Sequence, residues 1–301
     1  MIELKNEKIA IPVVLFAGLL WSFGPLVVRY MDEPGSVAWQ YIFARGLTIF
    51  VVLNFYLYFQ EGKNFLKNYL KVGVSGLIGG CGLGIAMVTF IYSITNTSAA
   101  ITLLCLAAMP FFTALLGFLF LKEKISFNVW VAIGMATVGI IIIAFGNTEK
   151  NSLIGLIFGM TSSIGFSVFS VSLRWRKETP KFTTVAVAGL FCVIIALIFI
   201  AINEDKILAT SYNGAMFSLH GTIVCLGLIL YSIGSKAIPA AELTLLSLTE
   251  VIGGIFWIWL PLFGINEVPS ANTIIGGFFL FMSIIYYSLT IKTNRRFIAL
   301  N

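Results

Sequence analysis

Apolar residues run along this chain in stretches of about twenty, broken by short clusters of charged and turn-forming residues. That length crosses a bilayer as a helix, and in lipid only helices and closed barrels satisfy their own backbone groups. The breaks predict ten spans, near residues 10–30, 36–59, 71–94, 97–120, 126–145, 152–173, 182–202, 213–234, 239–262 and 270–291. The expected fold class is an all-α integral membrane protein with ten transmembrane helices. The connections are short, so no soluble catalytic domain fits between them. Composition agrees, with 59% hydrophobic and 11% charged residues, where a soluble domain carries about 25% charged. The first run is too long for a signal-peptide core and lacks a small-residue cleavage site, so no cleaved leader is expected.

Charge then orients the spans. Cytoplasmic loops of membrane proteins carry an excess of Lys and Arg. With the N-terminus inside, Lys5, Lys8, Lys63, Lys67, Lys71, Lys122, Lys124, Arg174, Arg176, Lys177, Lys181, Lys236, Lys292, Arg295 and Arg296 all fall on the cytoplasmic side. Only Arg29, Lys150 and Lys206 fall opposite, and Arg45 lies within a span. This bias predicts an even number of spans with both termini cytoplasmic. The net charge of +6 reads as topology and contact with anionic lipid. Nucleic acid is not an expected partner, because no exposed basic domain is present.

The runs divide at Gly146–Ser152 into two sets of five, giving expected units 1–146 and 152–301. Gly18, Ser22 and Gly24 match Gly159, Ser163 and Gly165 at an offset of 141, and Tyr92-Ser93-Ile94 recurs as Tyr231-Ser232-Ile233 at an offset of 139. Five helices per unit force the second copy to insert upside down. The positive loops swap accordingly, since the loop between helices 2 and 3 is the richer in the first half and that between helices 6 and 7 in the second. Inverted repeats of this kind rock about a site near the midplane. The expected activity is therefore secondary transport by alternating access.

Several stretches carry a family likeness. Leu243–Phe279 (LTLLSLTEVIGGIFWIWLPLFGINEVPSANTIIGGFF), Arg174–Leu190 (RWRKETPKFTTVAVAGL), Trp21-Ser22, Arg45 and Met109–Ser126 (MPFFTALLGFLFLKEKIS) together resemble the EamA family of the drug/metabolite transporter superfamily. The likeness implies ten helices, a 5+5 inverted repeat, a central cavity, and movement of small organic metabolites across a cell membrane, such as a bacterial inner membrane. One departure concerns the backbone. Family members often have Glu-Pro in helix 9, whereas Glu250 precedes Val251 here; Pro110 in helix 4 is present.

An ionisable group at a helix centre costs roughly 2.5–3.5 kcal/mol on the insertion scale, so each asks for a role. Glu250 is the only carboxylate at a midplane and aligns with Met109, so it belongs to one half alone. It would bind an amine or carry a coupling proton; a purely structural pairing is the alternative. Arg45 aligns with Ala188 and reads first as a structural or gating residue whose stem snorkels about 13 Å to the outer surface; as a functional residue it would contact a substrate carboxylate or neutralise Glu250. Opposite charges in the two halves would suit a zwitterion such as an amino acid. His220 is the only histidine; without a second His or a Cys cluster no metal site is expected, and no cofactor is expected. It reads as a hydrogen-bonded core imidazole, or else as a substrate contact or proton relay. Trp21, Tyr92 and Tyr231 fall in or near regions that form the cavity in the family, with packing or interfacial anchoring as the alternative. Thr102, Thr161, Ser162, Ser163 and Ser167 would line a wet face or pack helices closely, Ser163 being the candidate site residue among them. Trp257 and Trp259 read as an aromatic belt near the outer surface. Gly76, Gly80 and Gly84 form a close-packing stripe on helix 3, while Pro25 and Pro110 predict kinks. Cys81, Cys105, Cys192 and Cys225 read as small apolar filling.

The expected partners are a small-molecule substrate, the bilayer, and either a coupling proton or a counter-substrate, with the chain a monomer or homodimer. The rival readings are an uncoupled, channel-like permease and an intramembrane enzyme. The chain shows no catalytic constellation for the latter.

Overall fold

The computed structural model describes residues 6–97, 99–146, 153–176, 178–265 and 270–298. Among these residues there are helices and turns but no strand. The helical segments follow the apolar runs closely: α1 (Glu7–Arg29), α2 (Ala38–Glu61), α3 (Gly73–Asn96), α4 (Ala99–Leu121), α5 (Phe127–Gly146), α6 (Leu153–Trp175), α7 (Lys181–Ile202), α8 (Ser211–Gly234), α9 (Ala240–Trp259) and α10 (Ala271–Ile298). Among the described residues eight helices are long and apolar enough to cross a membrane, and Phe127–Ile142 and Ile274–Tyr287 are shorter apolar helices. Most of the turn that divides the two sequence units, 147–152, lies outside the described residues.

The surface is apolar and the interior holds the small polar groups. Phe55, Phe59 and Leu70 are 63%, 69% and 89% exposed, whereas Ser75, Ser93, Ser163, Ser167, Thr113 and Thr244 are fully buried. This suits lipid as the surrounding solvent, since lipid gives helices no hydrophobic reason to associate and small or hydrogen-bonding residues must hold them together.

Glycine sets several close crossings, including that of Gly139 of α5, where a built Cβ would stand 2.5 Å from the Gly276 carbonyl oxygen of α10. A Cβ built on Gly165 of α6 would stand 2.6 Å from the Gly82 carbonyl oxygen of α3, and one on Gly189 of α7 would stand 2.8 Å from the Gly46 carbonyl oxygen of α2. The predicted stripe on α3 faces α7, with Gly76 against Thr184, Gly80 against Val187 and Gly84 against Phe191. A second small face, Gly79 and Gly82, lies against Ser172 and Gly165 of α6. Hydroxyls then fasten α3 to α6 along its length: Ser75 Oγ donates to the Ser172 carbonyl (2.8 Å), Ser162 Oγ to that of Ala86 (2.9 Å) and Ser93 Oγ to that of Gly155 (2.8 Å).

The main packing pairs are α3 with α6, α1 with α8, α3 with α7, α2 with α8, α4 with α6, α1 with α9, α2 with α7, α4 with α9, and α5 with α10. Each pair either maps onto itself or onto another of the set when every helix is exchanged for the one five places along.

Three helices are broken midway. In α1 the break falls at Ser22–Phe23, just before Pro25, and in α4 at Ala107–Ala108, just before Pro110. These are the predicted proline sites. The break in α9 at Leu248 has no proline. There Ser247 Oγ donates to the Thr244 carbonyl (2.7 Å), while Thr249 Oγ1 lies 3.1 Å from the Leu246 carbonyl and 3.3 Å from that of Leu15. Side-chain hydroxyls that bond the preceding turn bend a helix without removing an N–H.

The glycine crossing gives a direct test. Gly165→Val should lower stability by about 1–3 kcal/mol, because the opposing atoms are backbone and cannot yield. Gly214→Ala, where no atom lies within 4 Å, should leave the melting temperature unchanged or slightly raised. Thermal unfolding of both purified variants measures the contrast.

Candidate functional site

The breaks in α1, α4 and α9 surround an internal cavity of about 60 Å³. That is room for about four waters at roughly 10–15 Å³ of centre space each. The α3 wall is one helical face, Leu83, Ala86, Met87 and Phe90, and the α8 wall is another, His220, Val224 and Leu228. Leu106 and Met109 come from the α4 break, Ser162 and Phe166 from α6, and Trp21 from the α1 break. The two charged side chains on the wall are Arg45 from α2 and Glu250 from the first turn after the α9 break.

Arg45 is buried, 6% exposed, and does not snorkel. Its guanidinium carbon lies 5.7 Å from the Phe90 ring centre, and its Nε and Nη1 have no hydrogen-bond partner. Glu250 keeps partial exposure. Among the described residues no hydrogen bond or ion pair engages its carboxylate, and none links it to Arg45. The cavity therefore presents two ionisable groups of opposite sign that no hydrogen bond or ion pair joins.

His220 is 1% exposed. Its Nδ1 is hydrogen-bonded to the hydroxyl of Tyr41, a fully buried residue one turn before Arg45 on α2. Trp21 donates its indole N–H to the Val224 carbonyl (3.2 Å) and packs edge-on to Phe166, with ring centres 5.6 Å apart.

The remaining sequence candidates lie behind or beside this wall. Tyr231 is fully buried behind Trp21 (5.5 Å between ring centres), with its hydroxyl 2.7 Å from Ser170 Oγ. Ser163 donates to the Cys105 carbonyl and fastens α6 to α4, while its neighbour Ser162 faces the cavity. Tyr92 packs against Trp39 (5.1 Å) and Phe158 (5.3 Å), away from the cavity. Trp257 turns inward: its ring stacks on Phe23 at 4.7 Å and its indole N–H donates to Ser22 Oγ (2.8 Å). Trp259 is exposed, as a belt residue would be. Tyr41, Phe90 and Phe166 were not singled out from sequence. For Tyr41 the signal was present, since i and i+4 share a helix face with Arg45.

Toward the C-terminal ends of α6 and α8 the cavity is closed in two layers. Trp21, Phe166, Phe169 and Tyr231 form an aromatic plug. Beyond it, Arg174 pairs with Glu123 at 2.6 Å and donates to the Ser235 (3.0 Å) and Ile238 (2.6 Å) carbonyls, while Glu123 accepts from the Ala240 N–H (3.2 Å). The opposite end is closed by neutral contacts: Asn213 exchanges two hydrogen bonds with the Asp32 backbone, Gln40 donates to the Lys206 carbonyl (2.9 Å), and Trp39 stacks on Phe199 at 4.3 Å.

A mostly apolar cavity that carries Arg45 and Glu250 thus lies among helices of lipid-crossing length. The chain is similar to the EamA-like transporter family, whose model matches residues 8–145. It is a multi-pass membrane protein. An uncharacterized transporter of Helicobacter pylori (strain J99 / ATCC 700824) is 27% identical over 54% of this chain. That alignment spans about half of the relative, 52% of its length. The pseudopaline exporter CntI of Pseudomonas aeruginosa PAO1 is 25% identical, over 73% of this chain and 75% of its own. The uncharacterized transporter YdfC of Bacillus subtilis (strain 168) is 26% identical over 68% and 67%. A crystal structure shares the fold, with a TM-score of 0.71 at 17% identity over 96% of this chain and 99% of the other.

The contrast between neighbouring serines is testable by thiol labelling in a background lacking the four native cysteines. Ser162→Cys should react with a small methanethiosulfonate reagent about ten-fold faster than Ser163→Cys, because access to the sulfur controls the rate. Equal rates would show that the cavity wall is not the one described.

Proposed function

We propose that this chain is a secondary transporter in which two five-helix inverted repeats, 1–146 and 152–301, rock about the Arg45–Glu250 cavity and carry a small zwitterion of the amino-acid type. The observation that carries the reading is the pair of ionisable side chains of opposite sign in one cavity, neither held by a hydrogen bond or ion pair among the described residues. A substrate with a carboxylate and an ammonium would complete both, and charge-assisted hydrogen bonds of this kind are the strong ones. The apolar wall between them suits the rest of such a molecule.

Ten spans and the inverted repeat are supported by the packing, which is unchanged when each helix is exchanged for the one five places along. They are supported further by hydrogen bonds at matching places: Trp21 to the Val224 carbonyl and, 141 residues along for the donor, Ser162 to the Ala86 carbonyl. At 60 Å³ the cavity is well below the roughly 300–1,000 Å³ of a small-molecule pocket, so it must widen to load. The charged closure at the Arg174–Glu123 end and the neutral closure at the other give the two gates different chemistry. The positive loops make the Arg174 end cytoplasmic. Likeness to a protein named as an exporter favours outward movement.

A thermal-shift screen of purified protein against amino acids, amines, nucleobases and sugars should give its stabilising hits among zwitterionic amino acids, since a ligand of the folded state raises apparent stability. In liposomes, Glu250→Gln and Arg45→Met should each lower transport of such a hit by about 10–100-fold, the weight of one hydrogen bond to a charged group. Folding of both variants is checked by their melting temperature without ligand. Hits confined to sugars or nucleobases, or full transport by both folded variants, would sink the proposal.

A further inference from the structure

The cavity has a third polar group whose orientation is set by chemistry rather than by packing alone. Tyr41 is fully buried, and among the described residues its hydroxyl has one hydrogen-bond partner, His220 Nδ1. A neutral imidazole carries one N–H, on either nitrogen. If that proton were on Nδ1, it would point at the Tyr41 oxygen and leave the phenol hydrogen buried with nothing to accept it, and an unsatisfied buried donor costs its full desolvation. If the phenol donates to Nδ1, both groups are satisfied and the ring proton stands on Nε2. That nitrogen has no protein partner among the described residues; it lies beside the Cα of Gly24, where a Cβ would come within 2.8 Å of it. The glycine lets the ring pack this close, and the ring lines the same cavity as Arg45.

We propose that His220 offers its Nε2–H as a second donor to the carboxylate of a zwitterionic substrate anchored on Arg45, and that Tyr41 is the positioning residue that holds this tautomer. The inference rests on the zwitterion reading above and sharpens it. Arg45 comes from the first half of the chain and His220 from the second, so a carboxylate held by both ties the halves together, and Glu250 faces the ammonium. The site then discriminates against a substrate whose carboxylate is replaced by a neutral amide.

Because the chain has a single histidine, ¹⁵N-histidine labelling reports one ring without assignment. In the protein reconstituted in lipid nanodiscs, the imidazole should be protonated on Nε2 and bare on Nδ1, and Tyr41→Phe should mix the tautomers. A wild-type ring protonated on Nδ1, or a tautomer unmoved by Tyr41→Phe, overturns the proposal. The transport arm uses L-leucine and L-leucinamide in liposomes, an amino acid with an apolar side chain and its amide. His220→Phe should reduce the preference for L-leucine about ten-fold, the effect of one lost hydrogen bond to a charged group, while His220→Gln, which keeps an N–H near that place, should retain most of it. An unchanged preference in a folded His220→Phe protein also overturns the inference. If wild-type protein moves neither compound nor any other amino acid, the zwitterion reading itself fails, and the nitrogen measurement still decides whether Tyr41 sets the ring.

Discussion

Backbone touching backbone at Gly82–Gly165 and Gly46–Gly189 is the constraint from which the rest of this structure follows. Lipid offers no hydrophobic gain for bringing two apolar helices together, so association depends on close contact and on polar groups that prefer each other to hydrocarbon. Glycine at the crossings lets α3 approach α6 and α2 approach α7 closely enough that a Cβ would meet the opposing backbone. With the scaffold drawn tight there, bulk is accommodated elsewhere, and Trp21, Phe90, Phe166 and Met109 gather where the helices diverge. The cavity is the space left between a tight frame and large side chains.

Charge is distributed by the same logic of cost. At the Arg174 end two ionic groups are occupied by the protein: Arg174 with Glu123 and three carbonyls, Glu242 with the Tyr287 hydroxyl. Inside the cavity Arg45 and Glu250 are left unspent. A membrane protein keeps an intramembrane charge at a cost of a few kcal/mol each. Two of opposite sign without a protein hydrogen bond are what the proposed zwitterion would engage.

Much of the architecture was legible because run length and loop charge are strong signals in a chain that must meet lipid: the helices lie within a few residues of the predicted runs. Arg45, Glu250 and His220 stood out for the same reason, as ionisable groups in apolar surroundings. What escaped detection has physical causes. Tyr41 was hidden among many aromatics, although its place one turn from Arg45 marked its face. Ser162 and Ser163 are adjacent and point about 100° apart, so composition could not choose between them, and the one facing the cavity is the one not selected. The second small face of α3, Gly79 and Gly82, went unread because a single i, i+4 stripe already explained the helix, whereas α3 has two close neighbours. Trp257 read as a belt residue because the sequence does not show that Ser22 waits for its indole N–H.

The break in α9 differs in kind from that in α4. Proline deletes a hydrogen bond permanently and wedges the preceding turn, so α4 is bent by covalent structure. In α9 the bend is held by the hydroxyls of Ser247 and Thr249, and every backbone N–H remains available to close the ladder again. One joint is a fixed elbow and the other a sprung one. The half of α9 beyond the spring carries Glu250 in its first turn, while the half before it is tied at Ala240 to the Glu123–Arg174 lock. Straightening α9 would therefore swing the carboxylate as it tugs on the lock. A single helix thus joins the cavity carboxylate to the Arg174–Glu123 pair through a bend that, unlike a proline elbow, deletes no backbone N–H.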